Sequence, residues 1–133
     1  MTVTVFGFRS KSFRKAKQWL KANDITFKER DIVHEPITMD EILQILRMTE
    51  DGTSEIIATR SKAYKELNLN MEEISLRELV TAIQEHPHLL KSPIIVDEKR
   101  LLAGFSEEDI RQFLPRRTRL DWRLSHLNVL YAN

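Results

Sequence analysis

The sequence predicts an α/β fold: a mixed four-stranded sheet whose two halves are separated by a helical insertion. Three observations carry this. Two β-branched or aromatic runs flank one amphipathic helix near the N-terminus, two short apolar runs meet at a polar turn late in the chain, and capped helical stretches fill the interval. At 133 residues the chain fits one compact unit spanning 1–133, and 41% hydrophobic residues suffice for a core.

Val3 to Phe8 (VTVFGF) reads as a buried strand. Ser10 or Ser12 then caps a helix running through Lys21, with Phe13, Ala16 and Leu20 on one face and most of the basic residues on the other. That helix stops near Asn23-Asp24, and Ile25 to Val33 (ITFKERDIV) returns as a second strand, completing a βαβ unit with parallel strands.

The insertion begins with a capping box, Thr38 and Glu41, ahead of the amphipathic spacing Ile42, Ile45, Leu46. Glu50-Asp51-Gly52 is a turn in which Gly52 is free to take a positive φ. A short helix is expected around Ile56-Ile57, another from Ser61 to Leu67, and a third behind a second capping box, Ser75 and Glu78. Pro87 ends that last helix, because it has no N–H and disfavours helical geometry before it. Pro93 to Asp97 and Leu101 to Phe105 form a hairpin across Glu98-Lys99-Arg100. Ser106 caps a final helix, with Asp109 at its third position, running to Phe113 before Pro115. From Arg116 the chain is basic, with Trp122, Leu124 and Leu127 as packing points.

The order βαβ, helices, ββα is the thioredoxin-like arrangement with an insertion. The thioredoxin-like part is expected over 1–35 and 92–115, the insertion over 36–91 and the basic tail over 116–133. By analogy with that fold, Pro93 stands where a cis proline is common.

Composition excludes several functions. With no cysteine the chain has no disulfide, zinc-thiolate site or thiol nucleophile. No apolar run approaches the roughly 18 residues that span a bilayer, and the N-terminus has its apolar stretch before its charges, the reverse of a secretory signal. A cytoplasmic location is expected. The 21 Lys+Arg and 20 Asp+Glu are unevenly placed. Six bases and no acid lie between Arg9 and Lys21, six acids and one base (Arg47) between Glu35 and Glu55, and five arginines with one acid between Arg111 and Asn133. Such blocks are either solvated faces or docking surfaces. His86 and His88 flank Pro87 at a helix end, where positive charge suits the dipole, and no further ligand completes a metal site with them.

Three segments carry a family resemblance. FRKAKQWL follows the first strand, ILQILRMTEDGTSEIIATRSKAY crosses the middle, and SPIIVDEKRLLAGFSEEDIRQFLPRR leads towards an ending in Ala132-Asn133. The chain resembles the Spx family of bacterial regulators, relatives of arsenate reductase, over nearly its whole length. The resemblance implies binding to the C-terminal domain of the RNA polymerase α subunit, which redirects transcription under stress, with promoter DNA met only within the polymerase complex. It places Gly52 at the α-subunit contact and Arg60 and Lys62 towards DNA; Arg47, the one base in the acidic block, is a candidate for a bidentate ion pair across the α-subunit interface. Each also has a plain reading: Gly52 as a turn glycine, Arg47 as a partner for Glu50 or Asp51 one turn on, and Arg60 and Lys62 as a solvated helix start.

Typical Spx proteins carry Cys-x-x-Cys before the first helix, where Ser10 and Phe13 stand here, and redox-type members often have an arginine where Ser92 precedes the proline. These three are vacated redox positions. Phe13 is expected to pack, or if exposed to join an interface. Arsenate reduction needs a nucleophilic thiolate, and Ser10 has no evident base to replace it, so no catalytic residue, cofactor or metal is expected. Leu130, Tyr131, Ala132 and Asn133 resemble the ending by which a Clp-type protease and its adaptor grip Spx proteins. The expected function is therefore a global transcriptional regulator without a thiol switch. The alternative is a thioredoxin-fold binding module or decoy for another partner, such as the proteolytic adaptor.

Overall fold

A computed structural model describes residues 2–115. The sheet has the strand order β2-β1-β3-β4, with β1 Val3–Gly7, β2 Phe27–Asp31, β3 Ile94–Val96 and β4 Leu101–Ala103. β1 pairs parallel with β2 (Val5 opposite Glu29) and antiparallel with β3 (Val5 opposite Ile95), and β3 pairs antiparallel with β4. The sheet is therefore mixed, as expected. Between β1 and β2 lies α1, Lys11–Ala22, and between β2 and β3 lie α2 Met39–Arg47, α3 Lys62–Leu67 and α4 Leu76–Glu85. A 3₁₀ turn over Asp109–Phe113 follows β4.

Because side chains alternate across a strand, the sheet separates two cores. Val3, Val5 and Ile95 face one side, packed with Phe13, Ala16 and Leu20 of α1 and with Ile110 and Phe113. Phe6 and Ile94 face the other, against Ile42 and Ile45 of α2, Leu79 and Ile83 of α4, and Ile56, Ile57, Leu89 and Leu90 from the intervening segments. Each such side chain is buried to a few percent exposure or less, and those larger than Ala16 stabilise the fold by about 1.5–3 kcal/mol apiece before chain entropy is subtracted.

The caps follow local rules. Of the two serines, Ser10 caps α1, its hydroxyl accepting from the Phe13 N–H at 3.1 Å. Thr38 and Glu41 form the complete reciprocal box on α2, whereas at α4 the Ser75 hydroxyl accepts from Glu78 and only that forward half is made. Ser106 accepts from the Asp109 N–H, but the element it opens is a 3₁₀ turn.

Three expectations are corrected. β2 is shorter than Ile25–Val33, because Asp24 takes a left-handed φ of 56° at one end and the Asp31 carboxylate accepts from the Val33 and His34 N–H groups at the other. Both late strands are also shorter than read. Gly104, at φ 89°, ends β4, and its N–H turns back to the Pro93 carbonyl at 2.7 Å. No helix forms around Ile56-Ile57. The 3₁₀ turn precedes them at Gly52–Glu55, and these two buried residues run beside Leu89–Lys91, with Ala58 N–H donating to Leu89 and Lys91 N–H to Ile56. The hairpin lacks Asn-Gly because the Asp97 carboxylate closes it, accepting from the Lys99 and Arg100 N–H groups at 2.8 and 2.7 Å. The Ser92-Pro93 bond is cis. No helix among the described residues is long and apolar enough to cross a membrane.

Candidate functional site

Two of the three positions expected to be vacated redox sites, Phe13 and Ser92, meet at the end of β1. Gly7 lies beneath them: a Cβ there would stand 2.5 Å from Ser92 Oγ and 2.9 Å from Phe13 Cδ2, so only glycine lets the two side chains close over the strand. The Phe8 N–H donates to Ser92 Oγ at 3.2 Å, tying the proline loop to the strand end. Phe13 is 2% exposed and packs in the α1 core, so it fills the place instead of presenting an aromatic surface. Lys17 Nζ sits 4.6 Å above its ring and pairs with Glu29 at 2.6 Å. The Ser10 hydroxyl serves its helix cap, and no described base hydrogen-bonds it. Chemically this is a closed structural joint.

A second cluster was not foreseen. Arg30 of β2 is 7% exposed, yet all five of its N–H groups find acceptors. Nε and Nη2 reach the two Glu41 oxygens at 2.8 and 2.7 Å, Nη1 reaches the Glu35 carboxylate at 3.1 Å, and the Glu35 and Pro36 carbonyls take the remaining donors at 3.3 Å. The Arg30 hydrogen bond holds the Glu41 carboxyl below the usual carboxylate range against the opposing effect of burial, while the Glu41 hydrogen bond raises Arg30. The clamp anchors the first turn of α2 and so sets the direction of the helix that ends at Arg47. It also engages part of the acidic block, because Glu41 and the largely exposed Glu35 both pair with Arg30 and the Glu55 carboxylate accepts from the Asp51 N–H. Sequence offered one signal: Arg30 has the same strand parity as buried Ile32.

Arg47 is exposed, and among the described residues it makes no ion pair, so the alternative link to Glu50 or Asp51 is not made. α2 packs against the Gly52–Glu55 turn, which brings Arg47 and Gly52 to one corner of the molecule. Gly52 has φ +77°, and a Cβ built on it meets nothing within 4 Å. Its conformation favours glycine and its outer side is open. Arg47 also borders a depression of about 390 Å³ with Asp97 and Glu98.

Arg60 and Lys62 are exposed at the start of α3. Lys62 pairs loosely with Glu66 at 3.6 Å, a surface contact worth little. Lys62 and Ser92 line a common groove of about 600 Å³, floored in part by Phe8 and His88, whose rings stack with centroids 4.2 Å apart. Sequence could not foresee that stack across 80 positions. No group of three or more His, Asp or Glu among the described residues is placed to hold a metal. The proposed recognition ending, Leu130 to Asn133, lies outside the described residues, as do Trp122, Leu124 and Leu127.

Comparison with known proteins gives a consistent picture. The profile of the ArsC family matches residues 8–113. The chain is 56% identical over 128 residues to the global transcriptional regulator Spx 2 of Oceanobacillus iheyensis, covering 93% of this chain and 95% of that protein. It is 57% identical over 108 residues to the global transcriptional regulator Spx of Bacillus subtilis, covering 81% and 82%. Among solved structures, an ArsC family related protein from Bacteroides fragilis superposes with a TM-score of 0.69 at 25% identity, covering 84% of this chain and 97% of that one. The arsenate reductase-type, thioredoxin-like sheet is thus shared by sequence and by shape.

Proposed function

This chain belongs to the ArsC family, among its Spx-type global transcriptional regulators, and from that premise we propose that it acts by binding the C-terminal domain of the RNA polymerase α subunit through the corner formed by Gly52 and Arg47. The open left-handed glycine carries the reading. A turn with no side chain and no neighbour over its outer face admits a partner backbone closely, and the unpaired Arg47 guanidinium beside it supplies a bidentate donor for a partner carboxylate.

The protein works in the cytoplasm, without catalysis and without cofactor. Arg60 and Lys62 add sequence-independent phosphate contacts when the polymerase brings promoter DNA alongside. The sheet-bearing part, 1–35 with 92–115, serves as scaffold, and the insertion 36–91 carries the polymerase contact. With Ser10, Phe13 and Ser92 in the redox positions, binding is insensitive to thiol oxidation, and abundance sets output, controlled through Leu130–Asn133 by a Clp-type protease and its adaptor.

Titration calorimetry against the purified α-subunit domain tests this. The wild-type chain binds at micromolar concentration or tighter, and Gly52→Arg abolishes binding. Any non-glycine residue at a positive φ costs about 1–2 kcal/mol, which a domain of ordinary stability survives, so circular dichroism shows the variant folded. Equal binding by wild type and a folded Gly52→Arg variant refutes the contact at this corner, and no binding by wild type at micromolar concentration favours the decoy alternative.

A further inference from the structure

The function above leaves the basic face of α1 unused. Lys11, Arg14, Lys15 and Lys21 are exposed, and at 3.6 residues per turn they fall within an arc of about 120°, opposite buried Phe13, Ala16 and Leu20. Along the helix they extend about 15 Å. Arg9 stands just before the cap and lines a shallow depression of about 220 Å³ with Ser10, Phe13, Arg14 and Lys17. Lys17 is drawn away to Glu29, but among the described residues none of the other five side chains has a hydrogen bond or ion pair.

At its N-terminal end the fold gains nothing from this arrangement, although Lys21 in the last turn suits the dipole. Lys11 and Arg14 oppose the positive end of the helix dipole, at about 0.3–1 kcal/mol each, and no acidic residue occupies the first turn to offset them. We propose that the α1 face is a docking surface for the phosphodiester backbone of double-stranded nucleic acid, separate from the Arg60–Lys62 pair.

The chemistry of the face selects that partner. Protein interfaces centre on aromatic or aliphatic anchors and are depleted in lysine. Here the residues between the cations are Gln18 and Ala22, and among the described residues the one exposed large hydrophobic side chain, Val33, lies outside α1. Interfaces with DNA are polar and strongly positive, and a row of long flexible cations follows a phosphate backbone without a shaped pocket. Such contacts carry no base readout, so binding is weak, sequence-blind and steeply salt-dependent.

The test uses the full chain and a fluorescein-labelled 30-bp duplex, with anisotropy measured from about 20 to 200 mM salt. Substituting Arg14, Lys15 and Lys21 together by alanine removes three contacts and raises helix propensity, so the fold is retained. The slope of log K against log salt becomes shallower by about 2.7, and the affinity lost between 50 and 200 mM salt shrinks by roughly 40-fold. Exchanging the charges conservatively (R14K, K15R and K21R together) keeps the wild-type slope. No wild-type binding at 20 mM salt, or an alanine variant with unchanged slope, overturns the proposal. Binding of polyglutamate as tight as DNA and dependent on the same residues overturns it in favour of an acidic protein partner. The assay contains no polymerase, so its outcome is independent of the α-subunit contact.

Discussion

Removing Glu41 should cost this fold more than removing any other acidic side chain among residues 2–115. Its carboxylate accepts two short bonds from Arg30, at 2.8 and 2.7 Å, and a third from the Thr38 N–H at 3.0 Å. Hydrogen bonds to charged groups are worth about 1.5–3 kcal/mol each, and loss of an N-terminal capping interaction about 1. The sum is reduced because Glu41 keeps 21% side-chain exposure, so water reaches its place, and because Glu35 still faces the guanidinium. Glu41→Ala should therefore destabilise by about 3 kcal/mol, in the range for breaking a buried pair from one side. For a chain of this length that lowers the melting temperature by about 10 °C. Glu41→Gln keeps a capping acceptor and should cost about 2 kcal/mol. Since the folded-state pKa of Glu41 is depressed, its contribution is complete above the unfolded value near 4.3 and disappears as pH falls through the lower folded value. Urea unfolding at pH 7 and again near pH 3 should show the gap between wild type and Glu41→Gln narrowing in acid. A Glu41→Ala cost under about 1 kcal/mol, or a gap of equal size at both pH values, would refute the reasoning.

Two other expectations follow from the joint at the end of β1. Gly7→Ala forces a methyl against Ser92 Oγ and the Phe13 ring and should cost about 1–3 kcal/mol by urea unfolding, with the Gly7→Ala, Ser92→Gly double variant less destabilised than the sum of the singles. With no cysteine in the chain, its affinity for the α-subunit domain should be the same with and without dithiothreitol; a reductant-dependent change traced to this chain would contradict the closed joint described here.

What could be read from sequence was what short-range chemistry decides. Ser10, Thr38 and Ser106 cap elements within three residues of themselves, and the 3.6-residue spacing of Phe13, Ala16 and Leu20 identified the buried face of α1. Errors arose where a side chain ended an element early, as Asp31 does for β2, or where a distant strand captured a helix-like pair, as Leu90 does for Ile57. Arg30 hid in the charged run FKERD because its acceptors lie five to eleven residues further on and appear only when β2 and α2 meet. The candidate contact was legible in part. The positive φ of Gly52 could be read from its turn, whereas the absence of an Arg47 pair with Glu50 or Asp51 is a matter of side-chain placement that spacing alone does not decide.

The pairing of β1 with β3 also has a consequence for how the molecule is made. Val5 faces Ile95, 90 residues further on, so the first strand to leave the ribosome gains its second neighbour only late in synthesis. At synthesis rates of about 5–20 residues per second, β1 waits roughly 5–18 s for its neighbour. During that interval its apolar edge is open to β-addition by any extended chain. Capture by a second nascent copy rises with concentration. Strong overproduction would therefore press first on the assembly of the sheet, before the surfaces that meet its partners come into play.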